Sequence, residues 1–186
     1  MFDPDGYFLV KKLFPAKSFH PALKDVADDP DIVVWKHPGD LWCMAARMPG
    51  FEGGGGVHYC GYVGVPFDHD FHGMNYNMMY GVLDVHGGPT YAGTMYKDYD
   101  IPEFGTHWFI GFDCAHSSDF SGCDFYTYKN VHSPIQLMDK ASARYKNIDF
   151  VIRETNSLAD QLNKIDISKL VKDDIYGYVY PDDDDN

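Results

Sequence analysis

Two stretches concentrate the side chains that can do chemistry. "DVHGGPTY", residues 84–91, carries Asp84 and His86, and "WFIGFDCAHSSDF", residues 108–120, carries Asp113, Cys114, His116 and Asp119. Three chemistries compete for them. In the first, His116 and Asp119 share a cation, because residues three apart meet if the backbone turns helically after a strand. His86 joins them from a neighbouring strand end. A His86/His116/Asp119 set suits zinc, manganese or iron, and such a divalent ion can activate water. The spacing matches no fixed metal motif such as H-E-x-x-H. In the second, no metal takes part. His86 and His116 act as acid and base on opposite sides of a phosphoester or glycosidic bond, and Asp113 or Asp119 orients one of them. Gly87 and Gly88 then offer backbone N–H groups to an oxyanion or phosphate. In the third, the aspartates and glycines only make turns.

Other polar and aromatic residues extend these readings. Cys114 alternates in direction with Asp113 along a strand, so it reads as a small core thiol and not a nucleophile. "HDFHG", residues 69–73, is either a solvated loop or, through His72, the mouth of the same pocket. Tyr62, Tyr80, Tyr91 and Trp108 can stack a flat ligand, although aromatic residues more often fill a core. The glycine run 53–56 lacks the Gly-Lys-Ser/Thr ending of a P-loop, which excludes that route to nucleotide binding.

Those residues need elements to hold them. "YFLVKKLF" (7–14) reads as a strand or a helix start, and residues 17–28 carry a short helical pattern broken by Pro21. "DIVVWKH" (31–37), "DLWCMAARMP" (40–49) and "VHYCGYVGVP" (57–66) read as strands, with glycines inside the last marking a bulge or a close backbone approach. "YGVLDVHGG" (80–88) reads as a strand ended by its glycines, with "PTYAGTMY" turning back as its partner. "HWFIGFDCA" (107–115) is apolar enough to be a central strand. In "NIDFVIRETNSLADQLNKI" the positions Ile148, Val151, Ile152, Leu158, Leu162 and Ile165 fall at helical spacing, which predicts an amphipathic helix. The tail adds a strand at "IYGYVY". The expected fold class is α+β: one domain over residues 1–180, a twisted, mainly antiparallel sheet with the long C-terminal helix on it, and a flexible acidic tail at 181–186.

Composition narrows the partners. The chain has 186 residues, 45% of them hydrophobic, and a formal net charge of −13. Only Arg47, Arg144 and Arg153 supply guanidinium groups. A nucleic-acid groove needs a basic face to displace counterions, so none is expected; a small anion needs only a few N–H groups. No apolar run reaches membrane-spanning length, and "MFDPDGYFLVKKLF" lacks the order of a signal peptide. A cytoplasmic location and reduced cysteines are expected.

Three motifs also carry a resemblance. "CGYVGVP" (60–66), "DVHGGPTY" (84–91) and "WFIGFDCAH" followed by Asp119 occur in order, and together they resemble a family of small uncharacterised bacteriophage and prophage proteins. The likeness spans about residues 41–165. It implies a phage or prophage origin, a host-cell cytoplasmic location, and a single site formed by His86, Asp113, His116 and Asp119. The chain departs from the pattern at Pro89, where a larger apolar residue is expected, and in the glycine-rich loop before residue 57.

The leading functional expectation is a small hydrolase, a phosphodiesterase for example, acting on a nucleotide or other phosphoester. Its catalytic residues are His86, His116, Asp113 and Asp119, and Gly87, Gly88, Tyr91, Tyr62 and His72 hold the ligand. The alternative is a non-catalytic anti-defence protein that binds and sequesters a host nucleotide signal. A second alternative is an acidic inhibitor of a host protein.

Overall fold

The computed structural model describes residues 6–15, 25–48, 58–95, 101–116, 118–119, 145–173 and 177–179. Six strands form one sheet: β1 (Leu9–Lys11), β2 (Ile32–His37), β3 (Leu41–Arg47), β4 (Tyr59–Val65), β5 (Tyr91–Gly93) and β6 (Trp108–Asp113). Their order across the sheet is β1-β2-β3-β4-β6-β5. The sheet is antiparallel, and helix α1 (Ile148–Lys164) packs against it, which is the α+β architecture expected. The central strands β3 and β4 are buried along their whole length. Both of their faces are therefore covered, and the near-continuous apolar runs in their sequences follow from that. No helix among the described residues is long and apolar enough to cross a membrane.

Helix α1 begins where its caps dictate. The side chain of Asn147 accepts from Phe150 N at 3.0 Å, Asp149 lies in the first turn and Lys164 in the last. Both charges complement the helix dipole. Ile148, Val151, Thr155, Leu158, Ala159 and Leu162 are the buried positions, and they repeat every three or four residues as a single apolar stripe requires.

The chain forms two compact units. The first comprises residues 1–35, 44–61 and 113–153. It is built around a buried ion pair. The Asp31 carboxylate, fully buried, lies 3.1 Å from Arg47 Nη1 and 3.2 Å from Lys12 Nζ. It also accepts from the N–H groups of Leu13 and Phe14, at 2.6 and 2.8 Å. Arg47 donates to the Val26 carbonyl at 2.7 Å and sits 4.5 Å over the Tyr59 ring, whose hydroxyl donates to the Pro30 carbonyl. Buried charges are tolerable only when opposite charges and hydrogen bonds compensate them, and the donors of Lys12, Leu13 and Phe14 supply that for Asp31.

The second unit comprises residues 36–43, 62–112 and 154–186. Phe104 packs at 5.9 Å on Trp42 and at 4.6 Å on Phe109. The Phe109 ring in turn crosses Gly64, where an added Cβ would stand 2.7 Å from the ring. This close approach, and not a bulge, accounts for Gly64 within β4.

Several expectations change here. Residues 80–88 are not a strand. The N–H groups of Val82 and Leu83 both donate to the Met79 carbonyl, and Gly88 N–H donates to the Val85 carbonyl, so the segment is a run of turns. Val82, Leu83 and Val85 are apolar because they are buried, a pattern that imitates a strand in sequence. β5 pairs antiparallel with β6, Tyr91 opposite Gly111, and not with residues 80–88. The expected tail strand is present as β8 (Gly177–Val179), paired antiparallel with β7 (Val171–Asp173) in a ladder separate from the six-stranded sheet. The helical pattern at 17–28 falls largely outside the described residues, as do the glycine run 53–56 and the acidic tail 181–186. Of the helical pattern, residues 25–28 are described, a short 3-10 turn at 25–26 followed by a turn at 27–28.

Candidate metal centre

β6 delivers the first part of the site. It ends at Asp113, whose Oδ1 accepts from Ala115 N at 2.9 Å and turns the chain out of the sheet. The next turn closes on itself. Asp119 N donates to the His116 carbonyl at 2.8 Å, and Asp119 Oδ2 accepts from His116 N at 3.1 Å. This closure brings His116 Nδ1 to 3.2 Å from Asp119 Oδ2 and to 4.0 Å from Asp113 Oδ1. The post-strand turn proposed from the three-residue spacing is therefore present. Asp119 is 3% exposed, so its carboxylate lies away from bulk water.

A different device holds His86. Gly87 and Gly88 take φ values of +70° and +83°, a backbone region that favours glycine. Helix α1 grips the turn from outside. Gln161 both accepts from Asp84 N and donates to the Asp84 carbonyl, each at 2.8 Å, and Glu154 Oε2 accepts from His86 N at 3.1 Å. Glu154 and Gln161 are seven residues apart, two helical turns, and so lie along one face. Sequence reading missed both. Their signal was that i, i+7 spacing of polar side chains beside the apolar stripe.

His86, His116 and Asp119 each offer one ligand atom, and these atoms all lie within 4.8 Å of one another. Donors sharing one tetrahedral ion at about 2.0–2.2 Å stand roughly 3.3–3.6 Å apart. The His116–Asp119 pair, at 3.2 Å, is close to that spacing. Two imidazoles and a carboxylate form a borderline nitrogen/oxygen set that fits zinc, manganese or iron.

Other expected residues lie elsewhere. Only Asp113 ends a strand; His86 sits in a turn, so the expected neighbouring strand end for His86 is corrected to a clasped turn. Asp84 is exposed, and its backbone rather than its side chain is engaged by Gln161. Gly88 N–H is spent on the Val85 carbonyl, which removes it as an anion donor. Tyr62 is buried and meets Tyr91 edge-on at 5.5 Å, and the Tyr91 hydroxyl donates to the Thr94 carbonyl at 3.2 Å. His72 packs between Phe67 and Trp108, at 5.1 and 5.9 Å. Trp108 is the first residue of β6 and Asp113 the last, about 17 Å along the strand. Cys114 is 1% exposed, and burial pushes its thiol well above the usual range, in keeping with a core role. Cys43 and Cys60 are also buried free thiols.

Comparison with family models, curated proteins and solved structures finds no match for this chain.

Proposed function

We propose that the chain is a metal-dependent hydrolase of a nucleotide or another phosphoester. One observation carries the reading: His86, His116 and Asp119 bring three ligand atoms within 4.8 Å of one another. Three protein donors leave a coordination position open, the arrangement associated with catalytic rather than structural zinc. A divalent ion held there would supply Lewis acidity toward a phosphoryl oxygen and would acidify water. The chain's own residues prepare that position. Asp119 accepts from the His116 N–H, and this closes the turn that sets His116 Nδ1 and Asp119 Oδ2 3.2 Å apart. Asp113, 4.0 Å from the same nitrogen, is the carboxylate available to accept a proton near the ring. A phage or prophage origin and action in the host cytoplasm belong to the same proposal, on the strength of the three motifs.

The test begins with chain stripped of metal and reloaded with zinc or manganese, then offered a panel of nucleotides and aryl phosphate esters. Turnover should require metal and should vanish in His86→Ala and His116→Ala while circular dichroism stays unchanged. Full activity in both variants, or none in the loaded wild type, rejects the hydrolase. A nucleotide recovered intact after denaturing the complex points to the sequestering alternative instead.

A further inference from the structure

His58 lies just ahead of β4, and backbone hydrogen bonds fix its place. Met48 N donates to the His58 carbonyl at 2.8 Å, and Cys114 N donates to the Tyr59 carbonyl at 3.0 Å. In an antiparallel pair the second bond sets Tyr59 opposite Cys114, and hence Cys60 opposite Asp113, with His58 two residues before Cys60. Side chains alternate, so His58 falls on the same face as Asp113, as its diagonal neighbour. Such neighbours lie about 7–8 Å apart, within reach of long side chains.

The His58 ring is itself unusual. Its Nδ1 is buried and has no hydrogen-bond partner among the described residues. Buried polar atoms are nearly always paired, and each exception calls for a cause. Burial pulls the imidazole below its usual range, and the charges of Asp113 and Asp119 oppose that pull. His58 is not one of the three residues whose ligand atoms fall within 4.8 Å of one another. It therefore stands outside the ligand set, while its ring feels the charges of Asp113, Asp119 and His116.

We propose that His58 is the phosphoryl-contacting residue of this site: its Nδ1–H donates to a non-bridging oxygen of a phosphoryl group held at the His86/His116/Asp119 centre. The inference rests on the metal reading above and deepens it by naming the group that His58 recognises. A tetrahedral oxyanion suits the position, because it presents several acceptor oxygens around an open coordination site. In this role His58 carries its proton on Nδ1, the buried nitrogen.

The test uses the full chain, metal and inorganic phosphate as probe. Calorimetry first measures metal affinity of the wild type, His116→Ala, His58→Phe and His58→Asn, then phosphate affinity of the metal-loaded forms. His58→Phe should keep metal binding and lose about 10- to 100-fold in phosphate affinity, the worth of one hydrogen bond to a charged group. Asparagine can present an amide N–H near the position of Nδ1, so His58→Asn should recover most of that loss. In wild type carrying diamagnetic zinc, the His58 Nδ1 resonance should shift when phosphate is added. This measurement decides the matter if His58→Phe does not fold. Unchanged phosphate affinity in His58→Phe, an equal loss in His58→Asn, or a motionless Nδ1 resonance overturns the role of His58 and leaves the metal reading standing. A wild type that binds no metal overturns both.

Discussion

Asp119→Asn separates the two roles that meet in one carboxylate. In the folded chain Asp119 Oδ2 closes the turn by accepting from His116 N, and it stands 3.2 Å from His116 Nδ1. An asparagine carbonyl oxygen in the same place still accepts from that N–H. The metal-free variant should then lose only the difference between a charged and a neutral hydrogen bond, about 1 kcal/mol. Metal binding should respond more strongly, since it loses a formal charge among three donors. Replacing even an outer partner of a metal site costs about 10- to 100-fold in affinity, so roughly 100-fold is expected. Linkage turns this into a thermal readout. At a metal concentration of about 100 times the wild-type Kd, binding stabilises the fold by about 2.7 kcal/mol. For a chain of this length that raises Tm by about 5–11 °C. A 100-fold weaker variant at the same concentration gains only about 0.4 kcal/mol, or about 1–2 °C. The assay is Tm by circular dichroism, with and without zinc or manganese. Equal metal-induced shifts in wild type and variant would refute the assignment of Asp119 as a ligand and leave it a turn residue only.

Two further predictions concern the frame around the site. Asp31→Ala strands the buried Arg47 guanidinium and removes the acceptor for Leu13 and Phe14 N–H. It should cost about 3–5 kcal/mol in guanidinium-chloride unfolding followed by tryptophan fluorescence, and a loss under about 1 kcal/mol would show that the pair is not buried as described. Gly88→Ala forces a side chain onto φ +83° and places Cβ 2.7 Å from Tyr80 Cε1. Tyr80 is exposed and can swing aside, so the backbone term of about 1–2 kcal/mol dominates. Metal affinity should fall with it because His86 moves, whereas unchanged affinity would detach the turn from the site.

Much of the fold was legible in the sequence because burial and periodicity coincide there. The β-branched and aromatic run at 31–37 became β2, the apolar run at 107–115 became β6, and the 3.6-residue stripe from Ile148 became α1. Residues 80–88 show where this fails. Their apolar residues are as buried as those of a strand, but the Met79 carbonyl takes two successive N–H groups, Val82 and Leu83, and winds the chain instead. Hydrophobic pattern reports what is buried and is silent on where the backbone hydrogen bonds go. The paired positive-φ glycines at 87–88 were the local sign that a turn, not a strand end, held His86.

The site was legible to the extent that its contacts are local. His116 and Asp119 meet through a turn of four residues, so their spacing alone carried the information. His86 depends on Glu154, 68 positions away, and on Gln161 gripping Asp84 from 77 positions away. His58 depends on the strand register that sets Tyr59 against Cys114. Neither relation leaves a short-range trace, although both follow once the helix face and the sheet pairing are known. The same division orders the expected consequences of mutation. Changes in the 116–119 turn act directly on the ligands, whereas changes in α1 act on His86 through its backbone. Glu154→Gln, which can keep an acceptor for His86 N–H, should therefore disturb the centre less than Glu154→Leu, which cannot.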